Sequence, residues 1–302
     1  MSSAKCCQEY ASTWTPPEES ILMRRSYATN GREYGILSAM QEFLNVTILA
    51  VLQGVAEFLP ISSSGHLVIL QHILEVPENL RLRLEVFLHA GTLLAVFAFY
   101  RRRIGSLLAG LCARNVCARC AAWLYACKIV VSALPAVAVY FMFRHDIDAL
   151  VENARIVGAL LMFTGVILLG TRFLPHGERP VNFLRALVMG IGQAIALLPG
   201  VSRSGMTLAA ARGGRVGPVD AAEFSFLMSA PLILGGVLLE FVKGEVSTGG
   251  LSWGVLAWGV GLSAVVGYFS LAVLLRTLKS RWFWLFGPYC LVAGTLTLIF
   301  CK

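Results

Sequence analysis

Charge is scarce in this sequence. Only 14% of its 302 residues are Asp, Glu, Lys or Arg, whereas a soluble domain carries about 25%. With 57% hydrophobic residues and a mean hydropathy of +0.73, the chain lacks the polar surface an ordinary soluble globule shows to water. Acids are the scarcer sign, 17 against 25 Lys and Arg, for a formal net charge of +8. That excess does not point to nucleic acid. The arginines cluster in short loops between apolar runs, where the positive-inside rule places them. Alternation is missing too. The apolar runs are long and continuous, which argues against an outer-membrane barrel. Several approach the roughly 20 residues needed to cross a bilayer. The composition therefore predicts an all-α integral membrane protein.

The eight cysteines show no disulfide framework. Cys127, Cys290 and Cys301 lie in or beside apolar runs, where a thiol packs as a small hydrophobe. Cys112, Cys117 and Cys120 match no standard zinc spacing and lack a fourth ligand. Residues 1–39 are polar and mixed in charge, with no apolar h-region and no small-residue cleavage site, so they are not a signal peptide. The plain reading is a disordered extension. A sharper one starts the chain at Met40, directly before "QEFLNVTILAVLQG", and leaves residues 40–302 as a single membrane domain.

Ten apolar pieces follow, at about 42–57, 64–75, 86–100, 120–142, 154–173, 182–198, 205–212, 219–242, 251–275 and 283–300. Six are long enough to cross. The pairs 42–57/64–75 and 182–198/205–212 are each split by a Pro/Ser/Gly knot and contain one short member, the mark of a re-entrant, broken hairpin. The knots resemble each other. "QGVAEFLPISSSG" begins at Gln53 and "GQAIALLPGVSRSG" carries Gln193 in the matching place. Both continue with Leu-Pro and then Ser-x-Ser-Gly. "SALPA" at Ser132 also echoes "SAPLI" at Ser229. The predicted architecture is two repeats of five segments, about 40–174 and 180–302, giving six full crossings and two re-entrant hairpins. Three crossings per half invert the second repeat, so the knots meet at the midplane.

Counting arginines sets the orientation. The loops at 101–119, 172–185, 212–218 and 276–281 hold Arg101, Arg102, Arg103, Arg179, Arg212 and other cations against one acid, Glu178. That side is expected in the cytoplasm, with the mouth of the first hairpin facing outward.

Ionisable groups at membrane depth are costly and are functional candidates by default. Glu57, His66 and Arg203 are the main cases, and all three sit in the knots. Their types suit phosphate chemistry. "SSSGH" opens a short helix, whose free N–H groups, with the hydroxyls of Ser62, Ser63 and Ser64, cradle anions. Gly65 admits a close approach of backbone to ligand. From the other half, Ser202, Ser204 and Thr207 donate hydrogen bonds and Arg203 forks onto phosphate oxygens. Glu57, with the amide oxygen of Gln53 four residues earlier on the same face, could hold a hard divalent cation. His66 can serve as acid, base or nucleophile, and Ser63 as nucleophile with His66 as its base.

"QGVAEFLPISSSGHL" and "LLPGVSRSGMT", with "FLHAGTLLAVFAFY" between them, resemble the bacitracin-resistance type of undecaprenyl-diphosphatase from about Met40 to the C-terminus. The family's signatures are an acid or Gln, three further residues and then a Glu that runs into Ser-x-Gly-His, and Pro-Gly-x-Ser-Arg-Ser-x-x-Thr. The resemblance implies removal of the terminal phosphate from an isoprenoid diphosphate lipid at the outer face of a bacterial plasma membrane. That step recycles the carrier lipid for peptidoglycan synthesis and confers bacitracin resistance. It implies a divalent cation, Mg2+ or Ca2+. It makes Glu57 the metal-binding or catalytic acid, Ser63 and His66 the nucleophile or acid–base pair, and Arg203 the phosphate clamp, with Ser202 and Thr207 as supporting donors. Gln53 is the neutral option at the first acidic position, which departs from a two-carboxylate metal site.

Other residues carry plainer expectations. His89 either lines the cavity or bonds a neighbouring carbonyl. Lys128 snorkels. Gly235, Gly236, Gly259 and Gly261 are expected to pack closely. Tyr100, Trp253, Trp282 and Trp284 read as interface anchors. A lipid-phosphate acid phosphatase fails on motif order and on Ala209, which stands where a His is needed. The rival from another class is a polyprenyl-phosphate transporter, since inverted repeats with broken helices are transporter architecture. A homodimer is an option the sequence leaves open.

Overall fold

The computed structural model describes residues 40–151, 153–242, 251–280 and 282–300. The expected N-terminal extension and its alternative start lie outside them. By internal contacts the chain divides into residues 1–44 and residues 45–302, and the site lies wholly in the second unit. Among the described residues the secondary structure is helical: α1 Met40–Ala56, α2 Ser63–Ile73, α3 Glu78–Phe99, α4 Arg101–Leu111, α5 Val116–Val151, α6 Ala154–Gly170, α7 Phe183–Ile195, α8 Arg203–Gly213, α9 Pro218–Val242, α10 Trp253–Lys279 and α11 Phe286–Phe300. Six helical stretches are long and apolar enough to cross a membrane: Glu78–Phe99, Val116–Phe143, Ala154–Phe173, Pro218–Glu240, Trp253–Lys279 and Phe283–Phe300. α1 and α7 are apolar but shorter, and α2 and α8 have 11 residues each. An 11-residue helix covers about 16 Å, half a hydrocarbon core.

The helix boundaries follow local chemistry. Asn153 caps α6 by accepting from Arg155 N–H at 3.0 Å, Asn182 caps α7 and Ser252 caps α10, each satisfying N–H groups that have no partner inside their helix. Pro218 opens α9, where its missing N–H is harmless, and Asp220 follows in the positively polarised first turn. Arg276 and Lys279 sit in the last turn of α10, the favourable end for cations.

α3 packs on α10 and α9, α5 on α7, and α6 on α11. α6 and α11 approach most closely through paired glycines. A Cβ on Gly165 would come within 2.8 Å of the Gly287 carbonyl, and one on Gly287 within 2.8 Å of the Gly165 carbonyl. Without a hydrophobic drive between helices in lipid, such small-residue contacts hold crossings together.

Three expectations need correction. Residues 101–111 form α4 rather than a loop; it sets Arg101, Arg102 and Arg103 on its first turn. Of the four glycines expected to pack closely, only Gly259 does, against Val46 and Leu88. Gly235, Gly236 and Gly261 face open space, because glycine spacing alone does not say which face of a helix meets a neighbour. The "SALPA"/"SAPLI" echo falls on α5 and α9, the fourth apolar piece of the first half and the third of the second, so it is not a repeat correspondence. It marks two packed helices that each carry an internal proline, Pro135 and Pro231.

The basic segments converge on one end. Arg103 Nε donates to Glu223 at 2.7 Å and lies over the Tyr125 ring. The Arg179 N–H donates to the Arg215 carbonyl at 3.0 Å, Arg185 to Gly214 and Pro180, and Arg172 covers Trp284 at 4.8 Å. Lys128 reaches out of its span to the Val181 carbonyl at 2.9 Å, as snorkelling predicts.

Candidate active site

Both knots stop a helix, turn, and start a second one with a serine cap. In the first, Ser62 Oγ accepts from Gly65 N–H at 3.3 Å. In the second, Ser202 Oγ accepts from Gly205 N–H at 3.1 Å. Each turn needs one residue of positive φ: Ser62 at 70° in the first and Gly200 at 96° in the second. The two turns touch at their tips. A Cβ on Gly65 would lie 3.0 Å from Gly200 Cα, and Ser204 Oγ donates to the Leu59 carbonyl at 3.1 Å. The N-termini of α2 and α8 are thereby brought together. Each end is partly positive, the kind of end at which anions bind.

The anion there is Glu57. Its side chain is 4% exposed. Arg203, the first residue of α8, forms an ion pair with Oε1. Ser63, the first residue of α2, donates to Oε2 at 2.6 Å. Gln53 Nε2 donates to the same oxygen at 3.2 Å and reaches Thr92 Oγ1 at 3.5 Å. His89 Nε2 stands 3.5 Å from Oε2, while its Nδ1 bonds the Glu85 carbonyl at 2.8 Å. Both expectations for His89 therefore hold together: it lines the site and bonds a neighbouring carbonyl. Beside the pair lies a space of about 10 Å³ whose polar lining is Glu57, Thr92, Arg203, Ser204, Ser225 and Ser229. It holds about one water.

The remaining predicted residues divide in two. Ser202, Ser204 and Thr207 are buried and are used in holding the second knot. Thr207 Oγ1 donates to the Arg203 carbonyl at 2.9 Å and lies 2.6 Å from Ser225 Oγ, while Ser202 Oγ is 3.2 Å from Ser204 Oγ. Thr164 joins them by accepting from Ser202 N–H at 3.1 Å. Ser62 and Ser64 are 3.4 Å apart in the first knot. His66 goes elsewhere. Its Nδ1 bonds the Ser62 carbonyl and its Nε2 the Tyr289 hydroxyl, each at 2.8 Å, with the rings stacked at 10°. Ser63 accordingly bonds Glu57, and both nitrogens of His66 are engaged away from it.

Sequence reasoning passed over Thr92, Ser225, Ser229 and Tyr289 as site residues. A signal was there for the first three. Glu85, His89 and Thr92 recur at i, i+4 and i+7 in an apolar span, and Ser225 and Ser229 at i and i+4; such spacing puts a polar stripe on one helix face. Tyr289 had no local signal.

Comparison with known proteins shows what the chain is similar to. The family described as "Bacitracin resistance protein BacA" matches residues 46–296. An undecaprenyl-diphosphatase of Desulforapulum autotrophicum is 34% identical over 272 residues, covering 85% of this chain and 98% of that protein. One from Desulfosudis oleivorans is 38% identical over 267 residues, covering 83% and 96%. One from Rhodopirellula baltica is 37% identical over 267 residues, covering 86% and 98%.

Proposed function

The chain belongs to the bacitracin resistance protein BacA family, and from that premise we propose how it hydrolyses undecaprenyl diphosphate to undecaprenyl phosphate and inorganic phosphate. The observation that carries the reading is the grip on Glu57 by Ser63 and Arg203, the first residues of two helices whose N-termini meet. A carboxylate held between two such ends marks where a phosphate would bind, with a nucleophile and a cation already beside it.

The residues act in order. Phosphate oxygens compete with Glu57 for Arg203, and the planar guanidinium binds two of them at once. Free N–H groups at the starts of α2 and α8 take up further oxygens. The space beside the ion pair holds only about one water, so the terminal phosphate enters only as that pair opens. Ser63 Oγ then attacks the terminal phosphorus and gives its proton to Glu57, to which its hydroxyl already points. The P–O bond to the lipid phosphate breaks, Glu57 passes the proton it took from Ser63 to the departing phosphate, and undecaprenyl phosphate leaves. Water deprotonated by Glu57 next attacks the phosphoserine and releases inorganic phosphate. Arg203 stabilises the equatorial oxygens in both steps. Ser62, Ser64, Ser202, Ser204 and Thr207 position the two helix ends. His66 bonds the Ser62 carbonyl and the Tyr289 hydroxyl and in this reading steadies the start of α2 rather than activating Ser63.

The donor set fits a divalent cation. Gln53 Oε1 is a buried carbonyl oxygen with no hydrogen-bond partner, on an amide whose nitrogen donates to the Glu57 carboxylate, so a half-turn of the amide would bring that oxygen to it. Gln53 and Glu57 would hold the ion, Mg2+ or Ca2+, which would neutralise charge on the diphosphate oxygens.

The chain is a multi-pass membrane protein. The basic end, with Arg103, Arg172, Arg179 and Arg215, would face the cytoplasm of a bacterial inner membrane, and the site would open to the outer face. Phosphate release from C55 diphosphate in detergent tests the reading. Wild type should be active, Ser63→Ala and chelator should abolish turnover, and Arg203→Ala should lower it sharply. Lipid movement between leaflets that survives loss of Ser63, with no phosphate released by wild type, would favour the transporter.

A further inference from the structure

The contact between His89 and Glu57 has the wrong length for a simple hydrogen bond. His89 Nδ1 is 2.8 Å from the Glu85 carbonyl oxygen. A carbonyl only accepts, so Nδ1 carries the hydrogen. In neutral imidazole that leaves a lone pair on Nε2, and it faces Glu57 Oε2 across 3.5 Å. Two acceptors facing each other repel. A charge-assisted N–H···O bond would close to about 2.7–2.9 Å. Two ligands of one cation, each about 2.1 Å from it at tetrahedral or octahedral angles, stand about 3.0–3.4 Å apart. The gap therefore suits an ion shared by nitrogen and oxygen. An Nδ1–H tied to a backbone carbonyl is also how a metal-binding histidine is usually oriented.

A second observation points to the same place. Gln53 Oε1 is buried without a partner, on a side chain with 0% exposure. The other end of its amide faces Glu57 Oε2 and Thr92 Oγ1. Turning the amide by half a revolution brings the orphaned oxygen to that same face. Thr92 donates its own hydrogen to the His89 carbonyl at 3.0 Å, which leaves its lone pairs turned outward. Among the described residues no three His, Cys, Asp or Glu side chains cluster as a ready-made metal centre. The site instead combines one carboxylate, one imidazole and neutral oxygens.

We propose that His89 is a direct ligand of the divalent cation, completing a site of Glu57 Oε2, His89 Nε2, Gln53 Oε1 and Thr92 Oγ1. This rests on the reading that a cation works at Glu57. Ser63 donates to that same Oε2 at 2.6 Å, so its hydroxyl must turn to Oε1, which phosphate frees by drawing Arg203 away, while Oε2 holds the ion. An imidazole nitrogen shifts selectivity from Ca2+ toward a borderline first-row cation such as Mn2+.

Purified full-length protein in detergent, stripped with chelator and titrated with Mn2+ alone, tests this. Electron paramagnetic resonance should count one bound Mn2+ per chain, and its pulsed form should show nitrogen coupling from a coordinated imidazole. His89→Ala should remove the coupling and weaken binding tenfold or more. His89→Gln, which offers an oxygen, should bind without the nitrogen signal and favour Ca2+. His66→Ala should keep the signal. Melting curves for each variant separate lost binding from lost folding. Mn2+ bound in a Glu57-dependent way with no imidazole signal in wild type overturns the role of His89 and leaves the cation at Glu57 standing. No Glu57-dependent binding overturns both.

Discussion

Ser62 and Ser202 do the same local job, each accepting an N–H from the glycine three residues on, yet the turns around them differ. Pro60 stands two residues before its serine and Pro199 three before its own. The additional residue is Gly200, which takes the positive φ in the second knot. In the first, Ser62 must take it itself, at 70°, a conformation L residues rarely hold without tertiary support. The next position differs in chemistry: Ser63 opens α2 and Arg203 opens α8. In the proposed mechanism one knot thus supplies a nucleophile and the other a cation, and both bond a carboxylate that only the first possesses. A duplicated frame with divided roles is what an asymmetric substrate, a phosphate with one leaving side, requires.

The largest expected effect breaks that division. Ser63→Ala removes the attacking oxygen and should lower kcat on the order of 10⁴-fold or more, while Arg203→Ala should cost about 10²–10³-fold. Arg203→Lys should recover part of that loss through charge without the bidentate fork. Single-turnover phosphate release measures all three. If Ser63→Ala retains more activity than Arg203→Ala, water rather than serine attacks.

The ion pair comes next. Glu57→Gln leaves Arg203 without a counter-charge, and Glu57→Gln with Arg203→Gln removes both. Breaking one side of a buried pair is costlier than removing it. Because Arg203 is 25% exposed, the difference should be about 1–2 kcal/mol. Thermal melting in detergent should place the double variant above Glu57→Gln.

The turns themselves give the third contrast. Ser62→Gly should be close to neutral in stability, because relief of the positive φ offsets the lost cap. Gly200→Ala should destabilise by about 1–3 kcal/mol, since its Cβ would run into the Val157 carbonyl. Equal losses would show that the two turns carry the same strain. The smallest effect should follow Thr207→Val. Its hydroxyl serves Ser225 and the carbonyls of Arg203 and Ser204, so activity should fall about tenfold through a displaced Arg203, with KM moving more than kcat.

Much of this was legible in the chain. Hydropathy and length marked six crossings and two short hairpins, because a bilayer imposes one length scale on every span. Proline, serine and glycine marked both turns, because capping and positive φ are set within a few residues. Glu57, His66 and Arg203 stood out as ionisable groups where hydrocarbon belongs.

Tertiary structure decided what those groups do to one another. That Ser63 serves Glu57 while His66 turns to Tyr289, 223 residues away, depends on how α2 sits against α11. That His89 stands against Glu57 depends on which face α3 turns to α1. That Gly165 and Gly287 meet while Gly235 faces open space depends on the choice of packing partner. Periodicity supplies a helix with its faces, but in a membrane every face can be apolar, so only the packing of distant segments selects the one that carries the chemistry.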